Sequence, residues 1–143
     1  MGWTHYWQRR MELPPKEFSK GVADCSALLG KLGIPLAGPP GADEPVFRDD
    51  EVIFNGAPPL QCEVFEIHRV EFDKRGTTIV RSYCKTEHLP YDLAVQCALV
   101  IFRCSLGSLL RVASDASEED WERARSECQK HLGYGGNFRL DPG

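Results

Sequence analysis

At 143 residues, 42% of them hydrophobic and 27% charged, the chain has the size and make-up of one folded domain, which excludes global disorder. The net charge of −4 comes from 17 basic and 21 acidic residues with the signs interleaved, so no segment carries the concentrated basic stripe of a duplex-DNA binder. Ten prolines and thirteen glycines point to many turns and argue against a helical bundle.

Read in chain order, 2–8 is rich in aromatic and β-branched residues and predicts a short strand, with Trp3, His5 and Trp7 on one face and Thr4 and Tyr6 on the other. Pro14-Pro15 opens a helix to about Lys31 whose apolar face is Phe18, Val22, Cys25, Leu28, Leu29 and Leu32. Gly30 and Gly33 mark its end, and a Gly- and Pro-rich loop follows from Ala37 to Glu44. Pro45 to Asn55 reads as extended chain with a turn at Asp49-Asp50. Cys62–Phe72 and Thr77–Thr86 form the clearest expected strand pair, a hairpin closed by Asp73-Lys74-Arg75-Gly76.

Pro90 begins a helix that is apolar nearly all round up to about Cys104, hence the central buried helix; its apolar run is too short for a membrane span. Leu109 to Ser114 suits a short strand. Ser117 and Asp120 have capping-box spacing, with aspartate in place of glutamate, ahead of a last helix with Trp121, Ala124, Cys128 and Leu132 on one face. The order β-α-β-ββ-α-β-α predicts a single α+β domain: a mixed, mostly antiparallel sheet with a central hairpin, packed on about three helices.

The six cysteines (Cys25, Cys62, Cys84, Cys97, Cys104 and Cys128) contain no C-x-x-C pair, and the N-terminus lacks the pattern of an export signal. Reduced thiols and a cytoplasmic setting are expected, with no metal and no cofactor.

Met1-Gly2-Trp3-Thr4-His5-Tyr6-Trp7 resembles the opening of a family of small phage and bacterial proteins that begin Met-Gly-Tyr-Thr-His-Tyr-Trp; Trp3 stands where that family has tyrosine. Ile34-Pro35-Leu36-Ala37-Gly38-Pro39, Phe54-Asn55-Gly56, Cys84-Lys85-Thr86, Pro90-Tyr91-Asp92 and Gly133-Tyr134-Gly135 extend the likeness along the chain. The resemblance implies a phage or bacterial intracellular setting and supplies no mechanism.

Two stretches can carry chemistry. Thr4, His5, Tyr6 and Trp7 combine hydrogen-bonding groups with aromatic faces able to stack on a base or ring. Cys84, Lys85 and Thr86 end a strand just before Tyr91 and Asp92 open a helix, a junction where helix N–H groups, a lysine and a hydroxyl suit an anion. The expected function is binding of a nucleotide or other small anionic metabolite, and the phage setting suggests sequestration of a host defence signal. One alternative is an enzyme using Cys84 or His5, with His5, His68 or His88 as the base of a Cys84 nucleophile and Asp92 orienting that base. Another is a phage inhibitor that docks exposed Trp3, Tyr6 or Trp7 on a host protein.

Overall fold

The computed structural model describes residues 3–73, 75–76 and 78–142. Met1 and Gly2 of the opening motif, Lys74 of the expected hairpin loop and Thr77 at the start of the expected second strand lie outside the described residues. The elements are β1 (Thr4–Arg10), α1 (Pro15–Leu32), β2 (Leu36–Ala37), β3 (Val46–Arg48), β4 (Glu51–Gly56), β5 (Phe65–His68), β6 (Ile79–Lys85), α2 (Asp92–Leu106), β7 (Leu110–Ser114) and α3 (Glu122–Leu132). The class is α+β, and the sheet is divided in two. One sheet has the order β6-β1-β7; in the other, β4 pairs with β2, β3 and β5, and every pairing in both is antiparallel.

The N-terminal strand is the middle of the first sheet. Its alternation sends His5, Trp7 and Arg9 into the protein and Tyr6 and Arg10 outward, as the period of two requires. In register with these, Cys84, Ser82 and Val80 of β6 and Ser114, Val112 and Leu110 of β7 share the inner face.

The expected pairing of Cys62–Phe72 with Thr77–Thr86 is corrected: β5 pairs with β4, and β6 pairs with β1. The two segments meet near one end, where Glu63 N–H bonds the Lys85 carbonyl at 3.0 Å and Lys85 N–H bonds the Glu63 carboxylate at 2.7 Å. Between them lies an open cleft of about 770 Å³ walled by residues that include Glu66, Phe72, Arg81 and Tyr83, with Trp7 reaching it from β1. Reading the hairpin from adjacency and a turn signal missed that both strands had better partners earlier in the chain. The hairpin found instead is β3–β4, folded at Asp49-Asp50, where the sequence placed a turn.

α1 buries Phe18, Val22, Cys25, Leu28 and Leu29, runs through Gly30, and stops at Gly33, whose φ of 69° is the left-handed conformation of a glycine helix end. Gly21 brings it close to α2, because a Cβ there would stand 2.7 Å from the Phe102 ring. All side chains of α2 from Ala94 to Phe102 are buried. Extended to Leu109, this segment has the length and composition of a membrane-crossing helix. α1, α3 and β7 all pack on α2, so its apolarity is that of a core helix. Before α3, Asp120 accepts both the N–H and the hydroxyl of Ser117 at 2.9 Å, which holds its carboxyl below the usual range. The capping interaction opens a 3-10 turn, Glu119–Trp121, that leads into the helix.

Candidate functional site

Asp92, the first residue of α2, is a buried carboxylate with four side-chain donors around it. Its Oδ1 takes His5 Nε2 at 2.6 Å and the Thr86 hydroxyl at 2.6 Å; its Oδ2 takes Gln96 Nε2 at 2.9 Å and the Trp3 indole N–H at 3.2 Å. Every donor is placed by local structure. Trp3 immediately precedes β1 and His5 lies on it, Thr86 immediately follows β6, and Gln96 is one helical turn beyond Asp92. The carboxylate makes Nε2 the proton-bearing nitrogen of His5, and Nδ1 faces Ser114 Oγ at 2.7 Å. His5 is 0% exposed.

Serine, histidine and aspartate in a hydrogen-bonded row form the order of a nucleophile–base–orienter chain. Here, however, Ser114 Oγ also accepts the Ala116 N–H at 2.9 Å, and none of Ser114, His5 and Asp92 lines the hollow beside Tyr6 and Tyr83, the cleft beside Glu66 and Phe72 or the hollow beside Arg125 and Gln129. The arrangement ties β1, β6, β7 and α2 together at one end of the sheet. The indole of Trp3 also stacks flat on His88, centroids 4.5 Å apart. Glu87 and His88 both hold positive φ, so the tight link between β6 and α2 carries backbone strain beside the network.

Cys84 and Tyr91 belong to a second buried group. The Tyr91 hydroxyl donates to the Glu63 carbonyl at 2.7 Å and to the Lys85 carbonyl at 3.2 Å, and the Cys84 thiol donates to the Glu63 carbonyl at 3.4 Å. Burial, reinforced by Glu63, pushes the Cys84 thiol up to about 12, so at neutral pH it is a thiol and a poor nucleophile. Iodoacetamide at pH 8 is therefore expected to label the exposed Cys104 of the native protein and to leave Cys84 and the other buried cysteines unlabelled until denaturant is added. Early alkylation of Cys84 on peptide mapping would revive it as a reactive residue. Lys85 is on the surface, paired with Glu87 at 2.9 Å. No group of three or more His, Cys, Asp or Glu among the described residues is arranged to hold a metal ion.

The opposite face of the β6-β1-β7 sheet is open. Tyr6 and Tyr83 stand directly across from each other on neighbouring strands, 41% and 64% exposed. The next outward row is Arg81, Gln8 and Arg111, one residue from each strand, and Arg10 extends it along β1. The ion-paired arginines among the described residues are Arg9, Arg48, Arg69, Arg103 and Arg125; Arg10, Arg81 and Arg111 form no ion pair there, and Arg111 donates to the Pro142 carbonyl at 3.3 Å and helps keep the Asp141 carboxyl low. A hollow of about 390 Å³ lies over this face, lined by Tyr6, Gln8, Arg75, Arg81, Tyr83 and Arg111 among others. Two carboxylates adjoin it. Asp115 lies 3.5 Å from the Tyr6 hydroxyl; Asp141 is engaged by Arg103 and by the Val112 N–H. Burial pushes Asp141 up, but these donors outweigh it and keep the carboxyl low, hence charged and already neutralised.

The residues singled out from sequence thus separate. Thr4, His5, Trp7, Cys84, Thr86, Tyr91 and Asp92 are buried, and three of them converge on one hydrogen-bond network. Tyr6 lines the hollow on the open face, and Lys85, two residues beyond Tyr83 on β6, is also at the surface. Of the aromatics expected to be exposed for docking on a partner, Tyr6 is exposed, Trp3 is half-buried and Trp7 is 3% exposed. Sequence reasoning missed Ser114 and Gln96 in the network, and Tyr83, Arg81 and Arg111 on the open face. The usable signal for the last three was the alternation of their strands. No protein-family model, no curated protein and no solved structure matches this chain, which leaves the function to be argued from this geometry.

Proposed function

We propose that the protein binds a nucleotide-like anionic ligand on the open face of the β6-β1-β7 sheet. The observation that carries this reading is the side-by-side exposure of Tyr6 and Tyr83 next to Arg81, Arg111 and Arg10, which form no ion pair among the described residues. A phenol ring left in water offers a flat apolar surface on which a base stacks, and an arginine fork matches the oxygens of a phosphate. The seven-residue pairing of β1 with β6 fixes the backbone positions of Tyr6, Tyr83 and Arg81 relative to one another, so the ordering cost of binding falls on side chains alone.

Titration of adenosine 5′-monophosphate against the protein, followed by chemical-shift changes, tests it. The shifts are expected to cluster on the strands bearing Tyr6, Tyr83, Arg81 and Arg111. Base–aromatic stacking contributes about 1–3 kcal/mol per base, so Tyr83→Ala is expected to weaken binding by roughly 5- to 150-fold. Shifts confined to the Trp3–His88 end, or an unchanged affinity in Tyr83→Ala, would place the ligand elsewhere.

A further inference from the structure

The open face carries more than one nucleotide needs. Two tyrosines offer two stacking surfaces, and three arginines outside the ion pairs of the described residues come from three different strands, Arg10 from β1, Arg81 from β6 and Arg111 from β7. Resting on the reading above, we propose that this face binds single-stranded nucleic acid, with successive bases on Tyr6 and Tyr83 and the backbone phosphates on Arg81, Arg111 and Arg10.

The geometry follows from sheet dimensions. Neighbouring strands stand about 4.8 Å apart, so Tyr6 and Tyr83 are spaced for two adjacent bases, whereas Arg81 and Arg111, on the two flanking strands, are about 10 Å apart at their Cα atoms. Residues two apart on one strand advance about 6.7 Å, which sets the arginine row one step from the tyrosine row and Arg10 one step further. A single nucleotide on one ring leaves the second ring bare and at least one guanidinium idle. A strand crossing the face diagonally engages both rings and distributes its charges over the cations. Charge complementarity is local: the chain as a whole is acidic, and these arginines are far apart in sequence, brought together only by strand order.

A duplex fits this face poorly because its bases are stacked on each other and unavailable to the rings. The face thus selects for unpaired strands, and the absence of a basic stripe along the sequence does not bear on it.

Fluorescence anisotropy with fluorescein-labelled octamers of uridylate and thymidylate, with adenosine 5′-monophosphate and a fully paired duplex as competitors, tests the proposal. At least one octamer is expected to bind ten-fold or more tightly than the mononucleotide, and the duplex to compete weakly. The slope of log K against log salt should be near −2, about −0.7 for each of three phosphates, and Arg81→Gln should reduce its magnitude by about 0.7. The double substitution Tyr6→Ala, Tyr83→Ala should cost at least ten-fold in affinity with the salt slope unchanged. These residues are on the surface, and a circular dichroism spectrum and melting curve for each variant would verify that it folds. An octamer no tighter than the mononucleotide would overturn this proposal and leave the simpler ligand-binding reading in place. Binding of neither would overturn both. Octamer binding insensitive to the tyrosines would remove the strand from this face. The uridylate and thymidylate arms separate RNA from DNA.

Discussion

Replacing Asp92 by alanine is expected to destabilise the fold by about 3–5 kcal/mol, because it removes the common acceptor of four buried or half-buried donors. No water reaches His5 to replace the lost bond, since the ring is fully enclosed between β1, α2 and the edge of Trp121. A helix start also loses a negative charge where the N-terminal N–H groups favour one. For a chain near this length, such a loss lowers the melting temperature by roughly 10–15 °C. Asp92→Asn should fall between, since its amide keeps one oxygen for His5 and Thr86 but sets an N–H₂ against Trp3 and Gln96. Chemical denaturation of the three proteins checks the order. A loss under about 1 kcal/mol for alanine would mean that the network is incidental to stability.

Arg9 presents the second large effect. All five of its N–H groups have acceptors: Nε bonds the Arg10 carbonyl, one terminal nitrogen bonds the His68 carbonyl and the Glu71 carboxylate, and the other bonds the carbonyls of Met11 and Arg69. Four of these partners are main-chain carbonyls, and His68 and Arg69 lie at the end of β5 in the other sheet. The guanidinium joins two sheets whose facing strands do not pair. Burial lowers its proton affinity and Glu71 partly restores it, while the group remains charged at any physiological pH. Arg9→Ala is expected to cost about 3–5 kcal/mol, and Arg9→Lys about 2–3 kcal/mol, because an ammonium brings three donors where five acceptors wait. Glu71→Gln should cost less than either, since most of the partners are carbonyls. Equal stability of Arg9→Lys and the parent in urea denaturation would show that the fork geometry is dispensable.

Much of this fold could be read from the residues. The alternation in the first strand, the apolar faces of the first and last helices, the all-round apolarity of α2 and the Ser117–Asp120 cap each rest on local spacing, and local spacing is what a sequence displays. Pairing is not local. The strand containing Phe65 and the one containing Tyr83 are neighbours in the chain with a turn between them, yet the first has β4 to pair with and the second has β1. The same limit governs the site. His5 and Asp92 both stood out for their chemistry, but nothing in the spacing announces that 87 residues of chain fold back to join them at 2.6 Å. Tyr83, Arg81 and Arg111 looked like ordinary surface until three strands from distant parts of the chain aligned their outer faces.

The central position of β1 has a consequence for the order in which the molecule assembles. The strand that organises the first sheet is made first, but its hydrogen-bonding partners are residues 79–85 on one edge and 110–114 on the other. Closing loops of that size is entropically costly, and topologies dominated by distant pairings fold slowly. During synthesis β1 therefore waits for its first partner until β6 has been made and for its second until β7 has followed. The helices α1 and α2, whose hydrogen bonds are internal, have the opportunity to form earlier, although their packing on each other waits on a chain separation as long as that between β1 and β6.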